Sequence, residues 1–181
     1  MSTGTDLRAL RKNRALTLAQ LAKAMGRSLG WMSQVERDVS RVDSDELIKL
    51  AEILEVAPSL LRQPQGVAAR EEGRIVRADR RRSLGCRHDG LIETLISPDL
   101  TDSFEIVHST FLPGQSLSEP VQRETQEIGF ILSGRLDLSF GDQKFTVGPG
   151  DSFRIRNEPY LWRNPYPEPT VALWVISPPI Y

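Results

Sequence analysis

Several side chains between Ser28 and Arg37 are of the kind that contact nucleic acid. Ser33 and Gln34 can hydrogen-bond to base edges or phosphates, Gly30 allows close approach of the backbone, and Arg37 supplies positive charge. A helix is needed to present them, and Ser28 is a suitable N-cap residue for it. An ordinary solvent-exposed helix is the alternative interpretation.

A second helix is predicted immediately before this one, over residues 17–25. Thr17 and Gln20 have the spacing of a capping box, and Gly26 stands where a helix ends in the left-handed backbone conformation. The inward-facing positions would be Leu18, Leu21, Ala22 and Met25 in this helix, and Met32 and Val35 in the next. Two helices joined by a glycine turn are typical of a helix-turn-helix.

Residues 7–37 resemble the phage-repressor-like XRE family of transcriptional regulators, through the helix spacing and the ending SQVER at residues 33–37. The resemblance implies binding to double-stranded DNA, and an ion pair between Arg11 and Glu36. The DNA-binding residues that it implies, together with the pattern above, are Thr17, Gln20, Arg27, Ser28, Leu29, Gly30, Ser33, Gln34 and Arg37.

Two positions depart from the family pattern. Leu18 stands where the family often has a glutamine that touches DNA, and Gln20 either substitutes for it or is used by the capping box. Asp38 stands where a glycine commonly ends the recognition helix, and a carboxylate at this place would lower DNA affinity.

The predicted N-terminal domain spans residues 1–63 and is an all-α, five-helix, lambda-repressor-like fold. Its first helix covers about residues 6–13, and Pro58 begins a short fifth one. Ser44 precedes an apolar stripe that is spaced for a fourth helix, namely Leu47, Ile48, Leu50, Ala51 and Leu54.

Residues 64–75 are predicted to be a linker, because they contain prolines and glycines but few large apolar side chains. The arginine triplet at residues 80–82 is interpreted as a solvated surface, with contacts to the DNA backbone or to the partner domain as alternatives. The only cysteine, Cys86, cannot form an intramolecular disulfide, which favours a reducing compartment.

From Leu91 onward the hydrophobic period changes to two, which predicts an all-β domain over residues 76–181. One strand would place Phe104, Ile106 and His108 on one face and Glu105, Val107 and Ser109 on the other. Gly141 and Asp142 predict a hairpin. Residues 171–176 are apolar at successive positions, as in a strand that lies between two layers or at a subunit contact.

Two stretches of this half, residues 113–136 and 148–164, resemble the two motifs of the cupin family. The first contains Glu127 followed by Gly134, and the second begins with Gly-Pro-Gly-Asp and ends at Asn164. The resemblance implies a jelly-roll barrel, and the order of the two domains is that of cupin-type transcriptional regulators. The predicted fold class is therefore a two-domain α+β protein.

The cupin resemblance also implies where a metal would bind. Metal-binding cupins use two histidines, a glutamate and a final histidine. Here Val121, Arg123 and Tyr160 stand at the histidine positions and only Glu127 is retained, so we expect no metal and no other cofactor. His108 could restore a partial site if it pointed into the barrel, but a packed or surface position is the preferred interpretation.

The residues at this place could instead bind a small organic molecule. Arg123 can bind a carboxylate through two parallel hydrogen bonds, and Glu127 can accept from an amine or hydroxyl group. The predicted ligand-binding residues are Arg123, Glu127, Phe130, Arg154, Tyr160 and Trp162. The alternative is that Arg123 and Glu127 only pair with each other.

The charge of the chain is divided between its two halves. Residues 1–63 have 10 Lys and Arg against 8 Asp and Glu, residues 64–90 have 7 against 4, and residues 91–181 have 6 against 12. The excess of basic residues lies where phosphate contacts would be made, whereas the acidic half would be repelled from DNA. This division predicts two modules with separate roles.

Together these features predict a cytoplasmic, non-enzymatic, sequence-specific transcriptional regulator, with no membrane association. We expect a homodimer on a palindromic operator, with a metal-free cupin domain that senses a small effector, which Arg123 suggests carries a carboxylate. One alternative is a constitutive repressor in which the cupin serves only for dimerisation. The other is a cupin enzyme tethered to DNA.

Overall fold

The computed structural model describes residues 3–62, 66–85 and 88–181, and these form two compact units. The first unit comprises residues 1–84 and 98–102 with Tyr181, and the second comprises residues 85–97 and 103–180. The linker at residues 64–75 and the domain limits on either side of it stay a prediction. Cys86 lies outside the described residues.

Within its described part, the first unit contains five α-helices: α1 Thr3–Asn13, α2 Leu18–Met25, α3 Leu29–Val35, α4 Ser44–Ile53 and α5 Pro58–Leu61. The capping chemistry predicted for α2 is confirmed, because Thr17 and Gln20 form a capping box and Gly26 ends the helix with φ 69°. Asp43, with Glu46, caps α4. Local sequence therefore sets both ends of α2 and the start of α4.

The core of the first unit consists mainly of leucine and methionine side chains. Its fully buried members include Leu7, Leu10, Leu21, Met32, Leu50, Leu54, Leu60 and Leu61. The prediction was wrong for Ile48, which is 40 % exposed. The buried face of α4 is centred on Leu50, Ala51 and Leu54, and Ile48 lies at its margin because each residue turns the helix by about 100°.

Two arginine–carboxylate pairs join distant parts of the first unit. Arg11 donates to both carboxylate oxygens of Glu36 at 2.5 and 3.0 Å, as the family resemblance implied. Arg82 forms a second, more deeply buried pair with Asp6 at 2.8 Å. The interpretation of residues 80–82 as a solvated surface is therefore wrong for Arg82.

Asp6 and Arg82 are held by several further contacts. The Leu100 N–H donates to Asp6 at 3.1 Å, and Arg82 donates to the Leu60 carbonyl at 3.2 Å. Burial raises the pKa of Asp6, although the guanidinium of Arg82 acts in the opposite direction. The carboxyl group thus depends on Arg82 to offset its loss of hydration.

The second unit has two antiparallel sheets. The larger one has the strand order β2 Leu91–Leu95, β3 Glu105–Phe111, β9 Thr170–Ser177, β4 Gln126–Ser133 and β7 Ser152–Arg156, and the smaller has β6 Gln143–Val147, β5 Leu136–Phe140 and β8 Leu161–Arg163. The two-residue strand β1, Arg82–Ser83, is part of the first unit. The predicted hairpin at Gly141 and Asp142 joins β5 to β6.

Residues of the second motif have structural roles in this unit. Asn164 is fully buried and donates to the carbonyls of Phe111 and Glu168, both at 2.9 Å. It also accepts a hydrogen bond from the Tyr166 N–H at 3.1 Å. Asn164 therefore joins the end of β3 to the turn that leads into β9.

The two faces predicted for β3 are present from Glu105 onward, and the structure shows which of them is internal. Glu105, Val107, Ser109 and Phe111 are buried, whereas Ile106 and His108 are half-buried on the opposite face. His108 therefore does not point into the interior. Hydrogen bonds allow the two polar residues to be buried, since the Ile180 N–H donates to Glu105 at 3.0 Å and the Ser109 hydroxyl donates to Glu93 at 2.9 Å.

No helix within the described ranges has both the length and the apolar character that a membrane span requires.

The Asp6–Arg82 pair yields the first prediction. Replacing Arg82 with Met leaves the buried carboxylate unpaired, so we expect the helical unit to lose about 3–5 kcal/mol of unfolding free energy. Urea unfolding monitored by circular dichroism at 222 nm measures this loss. Arg74→Met, at an exposed arginine, is the matched control, and the double variant Arg82→Met, Asp6→Leu should recover most of the stability. An Arg82→Met protein as stable as the control would contradict the role of the pair.

Candidate functional site

The candidate DNA-binding surface is the outward face of α3. Met32 and Val35 are buried beneath it, whereas Leu29 is 53 % exposed. Gly30 and Gln34 are also exposed, and Ser33 is half-buried. The structure thus turns the predicted polar residues of this helix toward solvent.

Hydrogen bonds fix several of these side chains before any ligand binds. The Ser40 hydroxyl donates to the Gln34 amide oxygen at 2.9 Å, and Arg37 donates to the Ser33 carbonyl at 3.1 Å. The Ser28 hydroxyl accepts from the Trp31 N–H as the N-cap of α3. Ser28 is therefore used in capping, while Gln34 is exposed, so its amide nitrogen can donate to a base.

Arg27 lies at the start of α3 between an acidic and an aromatic partner. It pairs with Glu46 at 2.5 Å, and its guanidinium lies 5.3 Å from the centre of the Trp31 ring. Trp31 was not among the predicted site residues, although its place in the first turn of the recognition helix was a usable signal. Arg27 is 51 % exposed, so it can still reach a phosphate.

The two departures from the family pattern have structural explanations. The side-chain oxygen of Gln20 accepts from both the backbone N–H and the hydroxyl of Thr17 at 2.8 Å, so it serves the capping box. Asp38 has φ 58°, a conformation that favours glycine, and its carboxylate accepts from the Gly4 N–H at 2.9 Å. Asp38 thus caps the start of α1 and carries negative charge there.

In the second unit, a pocket lies among β2, β3, β4, β8 and β9 and the segment preceding β8. It has about 320 Å³ of empty space partly open to solvent. Four of the predicted ligand-binding residues line it, namely Arg123, Glu127, Tyr160 and Trp162. Tyr160 is brought to the pocket by its backbone bridge to Val121.

Phe130 and Arg154 do not line this pocket. Side chains alternate along a strand, and Phe130 is three positions from Glu127 on β4, so it lies on the opposite face. Arg154 lies directly across from Ile128 in the neighbouring strand and is exposed on that same outer face. Their prediction as pocket residues is corrected for this reason.

Six further residues line the pocket but were not among the predicted site residues. They are His88, Leu91, Glu93, Phe111, Trp174 and Ile176. Trp174 and Ile176 alternate on β9, and Leu91 and Glu93 alternate on β2, so the period of two was a usable signal. Which of the two faces was internal depended on the sheet pairing.

Glu127 is the most buried charged residue of the pocket, at 1 % exposure. Its Oε1 atom accepts from the Thr125 hydroxyl at 2.7 Å and lies 3.7 Å from Arg123 Nη1. Its Oε2 atom is buried and has no hydrogen-bond partner within the described part of the chain. Since 3.7 Å exceeds hydrogen-bonding distance, Arg123 provides charge compensation without a direct bond.

The donor set of this pocket does not fit a transition metal. The described residues contain no group of three His, Cys, Asp or Glu side chains placed to hold an ion. The guanidinium of Arg123 beside Glu127 would repel a divalent cation, and the isopropyl group of Val121 cannot act as a ligand. The chemistry of the pocket is that of hydrogen bonding and charge pairing.

Comparisons with known proteins agree with the two units. A helix-turn-helix domain model matches residues 4–63, and a cupin domain model matches residues 107–176. The chain thus carries an XRE-type helix-turn-helix domain followed by a cupin domain. A search of curated proteins gave no match.

Three solved structures illustrate the likeness. KdgF from Halomonas sp. is 18 % identical over 59 % of this chain and 95 % of its own, with a TM-score of 0.51. An HTH_3 family transcriptional regulator from Vibrio cholerae is 22 % identical over 98 % of this chain and 95 % of its own, with a TM-score of 0.44. Hydroxypropylphosphonic acid epoxidase from S. wedmorenis is 16 % identical over 97 % of this chain and 96 % of its own, with a TM-score of 0.47. Of these, the KdgF match supports the cupin fold and nothing beyond it.

Gly129 determines the position of one wall of the pocket. A Cβ atom on Gly129 would lie 2.2–2.6 Å from three ring atoms of Phe153. Phe153 in turn packs edge-on against Trp174, with ring centres 5.0 Å apart. The absence of a side chain at residue 129 therefore allows Phe153 to support the indole that lines the pocket.

The second prediction concerns Gly129→Ala. The added methyl group must displace the Phe153 ring, so we expect a loss of about 1–3 kcal/mol in stability and a changed environment of Trp174. Thermal unfolding and near-ultraviolet circular dichroism measure the two effects. Gly148→Ala is the control, since its Cβ would meet no atom closer than 3.9 Å. Equal behaviour of the two variants would show that Gly129 has no such role.

Proposed function

We propose that this chain, which joins an XRE-type helix-turn-helix domain to a cupin domain, is a sequence-specific DNA-binding transcriptional regulator that senses a small molecule. The observation that supports DNA binding best is α3, a helix capped at Ser28 whose Met32 and Val35 are buried and whose polar face is exposed. Such a helix fits the major groove. Its target is chromosomal DNA, and we therefore propose that it acts in the cytoplasm.

Binding as a homodimer is part of this proposal. One helix-turn-helix makes few base contacts, whereas two copies on successive turns of the duplex read a palindromic operator. An apolar surface on the outer face of the larger sheet, which we call the outer patch, suits a second copy. It comprises Ile106, Ile128, Phe130, Leu132, Leu173 and Val175.

The outer patch is continuous across three strands. Val175 on β9 lies between Ile106 on β3 and Ile128 on β4, and Leu173 is paired with Phe130. Ile128, Phe130, Leu132 and Val175 are each between 41 % and 45 % exposed. A typical interface buries ~800 Å² on each partner, so the patch would form the apolar centre of a larger contact. A two-fold axis would place the same patch on both sides.

The sensory role is supported by the pocket around Glu127. A buried carboxylate oxygen without a protein donor is expected to be satisfied by a bound molecule or water. A ligand can change operator affinity only if it binds more tightly to one arrangement of the dimer than to the other. We propose that the effector acts in this way.

Two other functions predict different results. A constitutive repressor would retain its operator affinity when Arg123 and Glu127 are both replaced, and no compound would shift its melting temperature. An enzyme requires groups that do chemistry, and the pocket has neither a suitable metal donor set nor an activated nucleophile among the described residues. The arginine beside Glu127 favours recognition over metal-dependent turnover.

The third prediction tests the recognition helix. Gln34→Ala removes an exposed amide donor, so we expect affinity for the selected operator to fall by about 1–3 kcal/mol, with little change for unrelated duplexes. An operator is first selected from fragments of the host chromosome, and fluorescence anisotropy at fixed salt gives both affinities. Gln143→Ala, an exposed amide on β6, is the control. Failure of the unmodified protein to select any duplex would disprove DNA binding.

The fourth prediction tests the outer patch. Phe130→Lys places a charge within it, so we expect the dissociation constant of the dimer to rise at least about tenfold. Operator binding should weaken as a consequence. Sedimentation equilibrium measures the dissociation. Phe145→Lys is the matched control, because Phe145 is 50 % exposed on β6 of the smaller sheet. Dissociation by the Phe145 variant alone would assign the dimer contact to the other sheet.

A further inference from the structure

We infer that the pocket takes a small amino acid, with its ammonium group on Glu127 and its carboxylate on Arg123 and Trp174. This inference rests on the proposed sensory role of the cupin domain and specifies the chemical class of the effector. It extends the expectation from Arg123 alone, which indicated only an acid.

Glu127 supplies the acceptor for the ammonium group. Its Oε2 atom is buried without a hydrogen-bond partner, as described above, while Oε1 is used by Thr125. The missing partner must be a donor, since a carboxylate has only acceptors to offer. A positively charged nitrogen is preferred over a hydroxyl because a charged donor to a buried carboxylate gives the stronger bond.

The local charge also favours a cationic group. Glu93 and Glu127 both line the pocket, whereas Arg123 is its only arginine or lysine among the described residues. Glu93 is already bonded to the Ser109 hydroxyl at 2.9 Å. A purely anionic ligand would add a second negative charge next to Glu127, so the carboxylate of the ligand must be accompanied by a positive group.

Two donors are available for that carboxylate. The Trp174 Nε1 atom is buried and has no hydrogen-bond acceptor within the described part of the chain. Arg123 is 24 % exposed and approaches Glu127 no closer than 3.7 Å, so its guanidinium can turn to a carboxylate. An indole N–H and a guanidinium are both donors only, which complements the acceptors of the ligand.

The size and walls of the pocket agree with a small molecule. The empty space of about 320 Å³ includes a part that is open to solvent, so an amino acid would occupy this open part as well as the enclosed part beside Glu127. Trp162 and Phe111 pack edge-to-face at 4.8 Å and form a rigid aromatic wall. An ammonium group next to such a wall gains further attraction from the ring faces.

The experiment uses the full-length protein and a panel of defined compounds. Thermal shift and isothermal titration calorimetry are carried out with the twenty proteinogenic L-amino acids, β-alanine and γ-aminobutyrate. Each compound that binds is compared with the amine that lacks its carboxylate and the acid that lacks its amino group. For alanine these are ethylamine and propionate. We expect at least one amino acid to bind. The amine that lacks its carboxylate should bind more weakly, and the acid that lacks its amino group should not bind.

Two variants assign the contacts, with a matched control. Glu127→Gln should weaken binding of the amino acid at least about tenfold, because the charged acceptor is lost while the shape is retained. Trp174→Phe should weaken binding of the amino acid but leave that of the amine unchanged. Glu124→Gln, at an exposed glutamate three positions before Glu127, should bind like the original protein. Circular dichroism confirms that each variant is folded.

The outcomes separate this inference from the proposed function. If no compound of the panel binds, if the acid binds as well as the amino acid, or if Glu127→Gln binds equally well, the inference is wrong. Selection of an operator by the same protein sample would then leave the regulator proposal standing. If an amino acid binds through Glu127 but no duplex is selected, the pocket inference stands and the DNA-binding proposal fails.

Discussion

The burial of carboxylates, and the way in which each is compensated, is the constraint on which both units of this protein depend. Removing a carboxylate from water is costly unless donors and a positive charge replace the lost hydration. Asp6 is hydrogen-bonded by Arg82 and by a backbone N–H, and Glu36 receives two hydrogen bonds from Arg11. Glu127 receives one hydroxyl bond and a distant arginine. This difference is the basis on which a ligand site is proposed at Glu127.

The alternation of side chains along the strands gives the second unit two distinct surfaces. On β4 the odd-numbered positions include buried Glu127 and Ile131, and the even-numbered positions include exposed Ile128 and Phe130. On β9, Trp174 faces inward and Val175 outward. The same strands therefore carry a polar pocket on one side and an apolar surface on the other. The proposed effector site and the proposed dimer contact thus lie on opposite faces of the same sheet.

In the helical unit, recognition depends on local capping supported by long-range contacts. Thr17, Gly26 and Ser28 define the ends of α2 and α3 through bonds between residues that are close in sequence. Asp38 adds a contact to Gly4, thirty-four positions away, and it adopts the left-handed conformation for which glycine is usual. The carboxylate of Asp38 therefore joins α1 to the end of α3. This structural role explains why an aspartate stands here although its negative charge disfavours DNA binding.

The sequence by itself determined the order of the two domains, the helix-turn-helix with its caps, and four of the residues that line the pocket. These features depend on local spacing: capping boxes, helical apolar periods and motif turns act between residues a few positions apart. Only the tertiary structure decided which face of each strand is internal, and it thereby moved Phe130 and Arg154 out of the pocket and brought Trp174 and Glu93 into it. It also decided that Arg82 is buried against Asp6, because the partner of an ion pair seventy-six positions away is set by the packing of the chain and leaves no periodic signal.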